Sequence, residues 1–176
     1  MLSMMRKHQD VTSQLRGTRL ALVGSILVGC MGCDRTTKDL AEAQLPDGQR
    51  LSFLGDCVRF ERVVNPGSFL SLGAGLPERA RAVIFTWFVA LLVATALVAA
   101  VHRRSSTWTA CAAAFVAAGG AGNLWDRIAS KGSVTDFMNI GIGSLRTGIF
   151  NVADLAIVAG IVLFVLHSRK GVGRDA

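Results

Sequence analysis

Ala82-Val-Ile-Phe-Thr-Trp-Phe-Val-Ala-Leu-Leu-Val-Ala-Thr-Ala-Leu-Val-Ala-Ala-Val101 is an uninterrupted apolar run without a single charge. At about 1.5 Å per helical residue, a run of this length crosses the roughly 30 Å apolar core of a bilayer. Three more apolar stretches, at about 20–41, 108–125 and 150–166, approach the same length. Over the 176 residues 51% are hydrophobic and 18% charged, too apolar a balance for an ordinary soluble domain. The predicted fold class is an α-helical membrane protein with four transmembrane helices, forming a single membrane-embedded domain over 1–176.

The net charge of +7 excludes less than it first implies. The basic residues flank the apolar runs in short clusters and make no stripe with interleaved aromatics, so no nucleic-acid partner is expected. Arg6, Lys7, Arg16 and Arg19 precede span one, Arg103 and Arg104 join spans two and three, and Arg169, Lys170 and Arg174 follow span four. By the positive-inside rule these three clusters face the cytoplasm, which makes both termini cytoplasmic. Trp108 and Trp125, about 26 Å apart along a helix, suit the two interfaces of span three.

The loop at about 42–80 lies on the outer side. Its segment 50–64 is rich in strand formers and partly alternating, notably from Val58 to Val63, which predicts a small extracytoplasmic β-rich cradle. Asn65-Pro66-Gly67 is a turn signal ending it, and Gly73, Gly75 and Pro77 mark irregular chain before span two.

Two acids stand beside or inside bilayer-compatible sequence on this outer side: Asp136 in Val134-Thr-Asp-Phe137, and Asp154 in Phe150-Asn-Val-Ala-Asp154. A carboxylate near hydrocarbon loses hydration, so such a group is a functional-site candidate whose partner must be named. Each is here a candidate partner for the other. Cys30, Cys33 and Cys111 read as buried small hydrophobes within helices, Cys57 has no disulfide partner in its loop, and His8, His102 and His167 lie on the opposite flank. Neither metal nor cofactor is expected.

Five blocks carry a family resemblance: Asp34-Arg-Thr-Thr-Lys38, Asn65-Pro-Gly67, Gly119-Gly-Ala-Gly-Asn-Leu-Trp-Asp-Arg127, Val134-Thr-Asp-Phe137 and Phe150-Asn-Val-Ala-Asp154. In order and spacing the chain resembles the bacterial lipoprotein signal peptidases, the type II signal peptidases, from about residue 20 to 167. The resemblance implies an aspartic endopeptidase of the cytoplasmic (inner) membrane. Such enzymes cut diacylglyceryl-modified prolipoproteins on the N-terminal side of the lipidated cysteine. It also implies membrane lipid as a partner, Asp136 and Asp154 as the catalytic pair, and Asp34 and Asn65 near the bound peptide or its lipid. Lys38, Gly67, Asn123, Asp126, Arg127, Asn151 and Ala153 belong to the same blocks as substrate-binding or supporting residues. A monomer is expected.

The residues supply their own readings. Asn151, three before Asp154, shares a helical face with it, and Asn123 is the comparable amide at the outer end of span three. Both either serve the carboxylates or cap helix ends. Asp126 and Arg127 are expected to pair with each other, as are Asp34 and Lys38, four apart. Ala114, Ala118 and Gly122 form a small-residue stripe expected to admit span four. One departure from the family pattern is Phe69 followed by Leu70, where the aromatic residue is usual one position later; Trp125 replaces a more usual aliphatic residue.

Three rival readings are weaker. Leu27-Val-Gly-Cys30 imitates a lipoprotein cleavage box, but the apolar run continues beyond it and three spans follow. A proton pathway would use membrane acids, yet spans two and three hold none at depth. A serine–lysine pair from Ser68 or Ser71 with Lys131 is selected by no spacing.

Overall fold

The computed structural model describes residues 2–66 and 76–172, with side chains from 14 to 66 and 76 to 169. Gly67, Ser68, Phe69, Leu70, Ser71, Gly73, Gly75 and Arg174 lie outside the described residues. The elements run α1 (Leu2–Gln44), β1 (Arg50–Phe53), β2 (Val58–Asn65), α2 (Glu78–Val101), α3 (Thr107–Ala129), β3 (Val134–Ile142), β4 (Leu145–Arg146) and α4 (Val152–Val172). Helix α1 extends well beyond the predicted span. It ends just before Pro46, the first proline of the chain. Ser106 caps α3, its hydroxyl accepting from the Thr109 N–H at 3.1 Å.

Helix α3 is the hub against which α1, α2 and α4 all pack. It buries Ala110, Ala112, Ala114, Ala117, Ala118, Gly119, Gly120 and Gly122, small residues that let neighbouring backbones come close. A Cβ on Gly119 would sit 2.2 Å from the Ala153 carbonyl oxygen, and one on Gly160 would sit 2.6 Å from that of Ala112. The predicted stripe is only partly the seam. Ala114 turns instead toward Val23 of α1 and Ala100 of α2, and α4 rests on the side carrying Ala112, Val116 and Gly119.

Among the described residues, three helical stretches are long and apolar enough to cross a membrane: Gln14–Gln44, Glu78–Val101 and Val152–Arg169. The fourth predicted span, α3, has the length. Its alanines and glycines contribute little hydropathy, because its neighbours are helices and the side chains facing them must be small. Trp108 and Trp125 are both exposed near its two ends.

The sheet is four-stranded and antiparallel in the order β1-β2-β3-β4. The outer loop supplies β1 and β2 as expected, but β3 and β4 come from the segment after α3, so Asp136 lies on a central strand. The register passes from Phe60↔Met138 to Val63↔Asp136 through a one-residue shift. Since side chains alternate faces, that shift exchanges which β2 residues share a face with Asp136. It places Asn65, paired with Val134, diagonally next to Asp136 on the same face. Phe137 packs with Ala41 of α1 and with Leu45 just beyond its end, fixing the sheet to the helices.

Gly160→Val would force α4 off α3 and is expected to destabilise the protein by about 1–3 kcal/mol. A lowered thermal midpoint in detergent is the expected result; an unchanged midpoint would mean that the seam adapts.

Candidate active site

The chain returns along β3 after the β3–β4 hairpin. Thr147 N–H donates to Ile140 O at 2.8 Å, and Phe150 and Met138 exchange backbone bonds at 2.8 and 2.9 Å. This pairing delivers Asn151 and the start of α4 to Asp136. Asn151, fully buried, then donates from Nδ2 to Asp136 Oδ1 at 2.6 Å, to Asn123 Oδ1 at 3.1 Å and to Thr135 O at 3.3 Å.

Asn151 is also the cap of α4. Its Oδ1 accepts the Asp154 N–H at 3.0 Å, while its own N–H donates to Asp154 Oδ2 at 3.1 Å. This reciprocal pair is a capping box with Asp154 in the third helical position. Asn151 thus both caps α4 and bonds to the Asp136 carboxyl. Asn123, by contrast, lies within α3 and donates from Nδ2 to Asp154 Oδ1 at 2.8 Å. It is no cap.

Asp136 is 4% exposed and Asp154 more open to the outside. Asp136 Oδ2 accepts from Asn65 Nδ2 at 2.9 Å. Burial, reinforced by the nearby Asp154 charge, pushes its carboxyl up to about 6, although the Asn65 and Asn151 amides and Lys38 oppose the rise. The two acids thus meet through Asn151, one on its side-chain amide and the other on its backbone N–H.

Beneath them lies a buried ion cluster. Lys38, 0% exposed, directs its ammonium to Asp34 Oδ2 and Asp126 Oδ2, both at 2.8 Å, and to Asn123 Oδ1 at 3.3 Å. All three donors of the ammonium are used. Asp34 Oδ1 accepts the Ala153 N–H at 2.9 Å, a reach that Gly122 permits, because a Cβ there would stand 2.7 Å from Asp34 Oδ2. Asp126 accepts the Thr135 N–H and an Arg35 guanidinium N–H, both at 3.4 Å.

The structure therefore gathers Asp34, Lys38, Asn65, Asn123, Asp126, Asp136, Asn151, Ala153 and Asp154 around one point. The expected Asp34–Lys38 pair is present. The expected Asp126–Arg127 pair is not: Asp126 is bound to Lys38 and Arg35, and Arg127 Nη1 donates to Gly132 O at 3.1 Å. Consecutive helical residues point about 100° apart, which separates these two. Gly67 lies outside the described residues. Sequence reasoning missed Thr135, whose hydroxyl donates to Glu42 Oε1 at 3.0 Å, and it offered capping for Asn151 without the reciprocal partner, although Asn151-Val-Ala-Asp154 carries that signature. Of the cysteines, Cys33 is exposed and Cys30, Cys57 and Cys111 half-buried, so the helix thiols are not core groups.

A family model described as signal peptidase (SPase) II matches residues 26–170. The chain belongs to the signal peptidase II family. It is 33% identical over 166 residues to the lipoprotein signal peptidase of Mycobacterium bovis (strain BCG / Pasteur 1173P2), covering 89% of this chain and 75% of that one. To the lipoprotein signal peptidase of Bifidobacterium longum subsp. infantis it is 34% identical over 159 residues, with 85% and 79% covered. Its fold is similar to a solved bacterial membrane enzyme at a TM-score of 0.70 and 18% identity, over 91% of this chain and 92% of the other. A second such enzyme gives 0.63 and 19%, over 86% and 92%. The protein is accordingly a membrane peptidase of the signal peptidase II family.

Lys38→Met would leave Asp34 and Asp126 buried without their shared cation. Breaking a buried pair from one side costs about 3–5 kcal/mol. A large fall in the detergent thermal midpoint is expected. A midpoint equal to wild type would show that the cluster carries no stability.

Proposed function

We propose that this protein is an aspartic endopeptidase that removes signal peptides from diacylglyceryl-modified prolipoproteins, cutting on the N-terminal side of the lipidated cysteine. The observation that carries the reading is the joining of Asp136 and Asp154 through Asn151 at one end of the helices. Asp136 is the acid and Asp154 the base. The raised Asp136 carboxyl favours holding a proton at mildly acidic pH. Asp154 accepts N–H donors at the first turn of α4, where the helix dipole favours negative charge.

In the reaction Asp154 takes a proton from water as its oxygen attacks the scissile carbonyl carbon, and Asp136 donates its proton to the carbonyl oxygen. Collapse of the tetrahedral intermediate breaks the C–N bond, and the amine leaves with a proton from the pair. No metal or covalent intermediate enters. Asn123 and Asn151 hold the two carboxyls in place.

The same geometry supports the membrane placement. The site and sheet lie at the end where α1 finishes, α2 starts, α3 finishes and α4 starts. Arg16, Arg19, Arg103, Arg104 and Arg169 lie at the opposite end. With α3 as the fourth span, the positive-inside rule puts both termini in the cytoplasm and the site at the extracytoplasmic face of the inner membrane.

Purified protein should cleave a diacylglyceryl-modified precursor peptide, whereas Asp136→Asn and Asp154→Asn should each reduce turnover by at least a thousandfold while still inserting in membranes. Full activity in either variant overturns the assignment. Turnover should also fall as pH rises through about 6, because the acid form of Asp136 is lost. The Asn65 amide favours the ionised form, so Asn65→Ala should move that limb to higher pH. A limb that stays fixed or moves down would assign it to another group. The sign for stability is the same: Asp136 binds its proton more tightly folded than unfolded, so its contribution is full below its ordinary value near 3.8 and lost as pH rises through about 6.

A further inference from the structure

Apart from the carboxylate pair, the molecule has a cavity of about 690 Å³ between the first turns of α2 and the chain leaving α3. That volume lies within the range of small-ligand sites. Among the described residues its walls carry four cations, Arg79, Arg81, Arg127 and Lys131, against one carboxylate, Glu78; Arg127 also feels the charges of Asp136, Asp154 and Asp126. The cavity is held in shape by Gly132, whose φ of +104° turns the chain so that it lies against Ala82, where a Cβ would be 2.3 Å from the alanine methyl.

Two features give this concentration of charge a direction. The Nε atoms of Arg81 and Arg127 are buried and, among the described residues, have no acceptor. A buried guanidinium N–H without a partner costs free energy that an anionic oxygen would recover. Immediately below, the wall turns apolar and outward: Val83, Ile84 and Trp87 of α2 are 56%, 51% and 72% exposed. A phosphate bound among the arginines would leave attached acyl chains lying along that apolar face.

We propose that this cavity binds the phosphate headgroup of an anionic membrane phospholipid in the outer leaflet. The assignment rests on the membrane placement argued above and is independent of the aspartate chemistry. The Arg side chains grip the phosphate oxygens, Lys131 adds a point charge, and Trp87 lies against the upper part of the chains. The lipid occupies the flank of the α2–α3 pair, beside the route by which a membrane-borne substrate reaches the site.

The test uses full-length protein with Trp108→Phe and Trp125→Phe, which leaves Trp87 as the only tryptophan. In zwitterionic detergent, brominated phosphatidylglycerol should quench Trp87 saturably and at least tenfold more tightly than brominated phosphatidylcholine. Arg81→Gln with Lys131→Gln should abolish the difference, while Arg79→Lys should retain it. Equal quenching by the two lipids, or an undiminished preference in the double variant, overturns the proposal. So does tight binding of inorganic phosphate with no lipid preference, which would mark a site for a soluble anion. Precursor cleavage measured in the same detergent reports separately on the peptidase reading, and a fall there with lipid preference intact leaves this site standing.

Discussion

A single buried ammonium holds the functional end of this molecule together. Burying an ion costs several kcal/mol unless every donor is matched, and Lys38 matches its three with Asp34, Asp126 and Asn123. The three acceptors then fix the start of α4 and strand β3. Asp34 takes the Ala153 N–H of α4, Asp126 takes the Thr135 N–H of β3, and Asn123 reaches Asp154. Two helices, a strand and the start of a third helix converge on one charge. The arrangement requires α3 to lie close to its neighbours, which explains why glycine occupies positions 119 and 122, where a Cβ would strike Ala153 or Asp34.

Much of this was legible in the sequence, for identifiable reasons. Helices α1, α2 and α4 announce themselves because an apolar run long enough for a bilayer has few other uses. The aspartates stood out because acids beside such runs are costly. Asp34 and Lys38 were placed together by the four-residue helical spacing. The hydrophobic pattern was silent about β3 and β4. Val134–Ile142 is buried along part of both faces, so no simple alternation of apolar and polar residues marks it. Asp126 and Arg127 were mispaired because adjacency in sequence was allowed to stand for adjacency in space. On a helix it does not.

The register shift in β2 was beyond any pattern reading, and yet it decides the environment of Asp136. Without it, the pairing that holds from Val58 to Phe60 would set Arg62, not Val63, opposite Asp136, and Asn65 would face the other way. A guanidinium beside Asp136 would lower its carboxyl, whereas the amide of Asn65 opposes burial only in part. One inserted residue thus puts an amide, not a guanidinium, beside a carboxyl that burial raises to about 6.

The same logic explains why the two acids need not be alike. Asp136 sits on a strand, buried, with its charge disfavoured by lost hydration. Asp154 sits at a helix start that supplies the Asn151 N–H and an aligned dipole. Two carboxyls in matched surroundings would share a proton evenly, and neither would be committed as acid or base. Mounting one on β3 and the other on α4, with Asn151 bonded to both, brings them together while keeping their environments unequal. The fold's combination of a small sheet with a helical bundle supplies that inequality, since neither kind of element alone offers both surroundings.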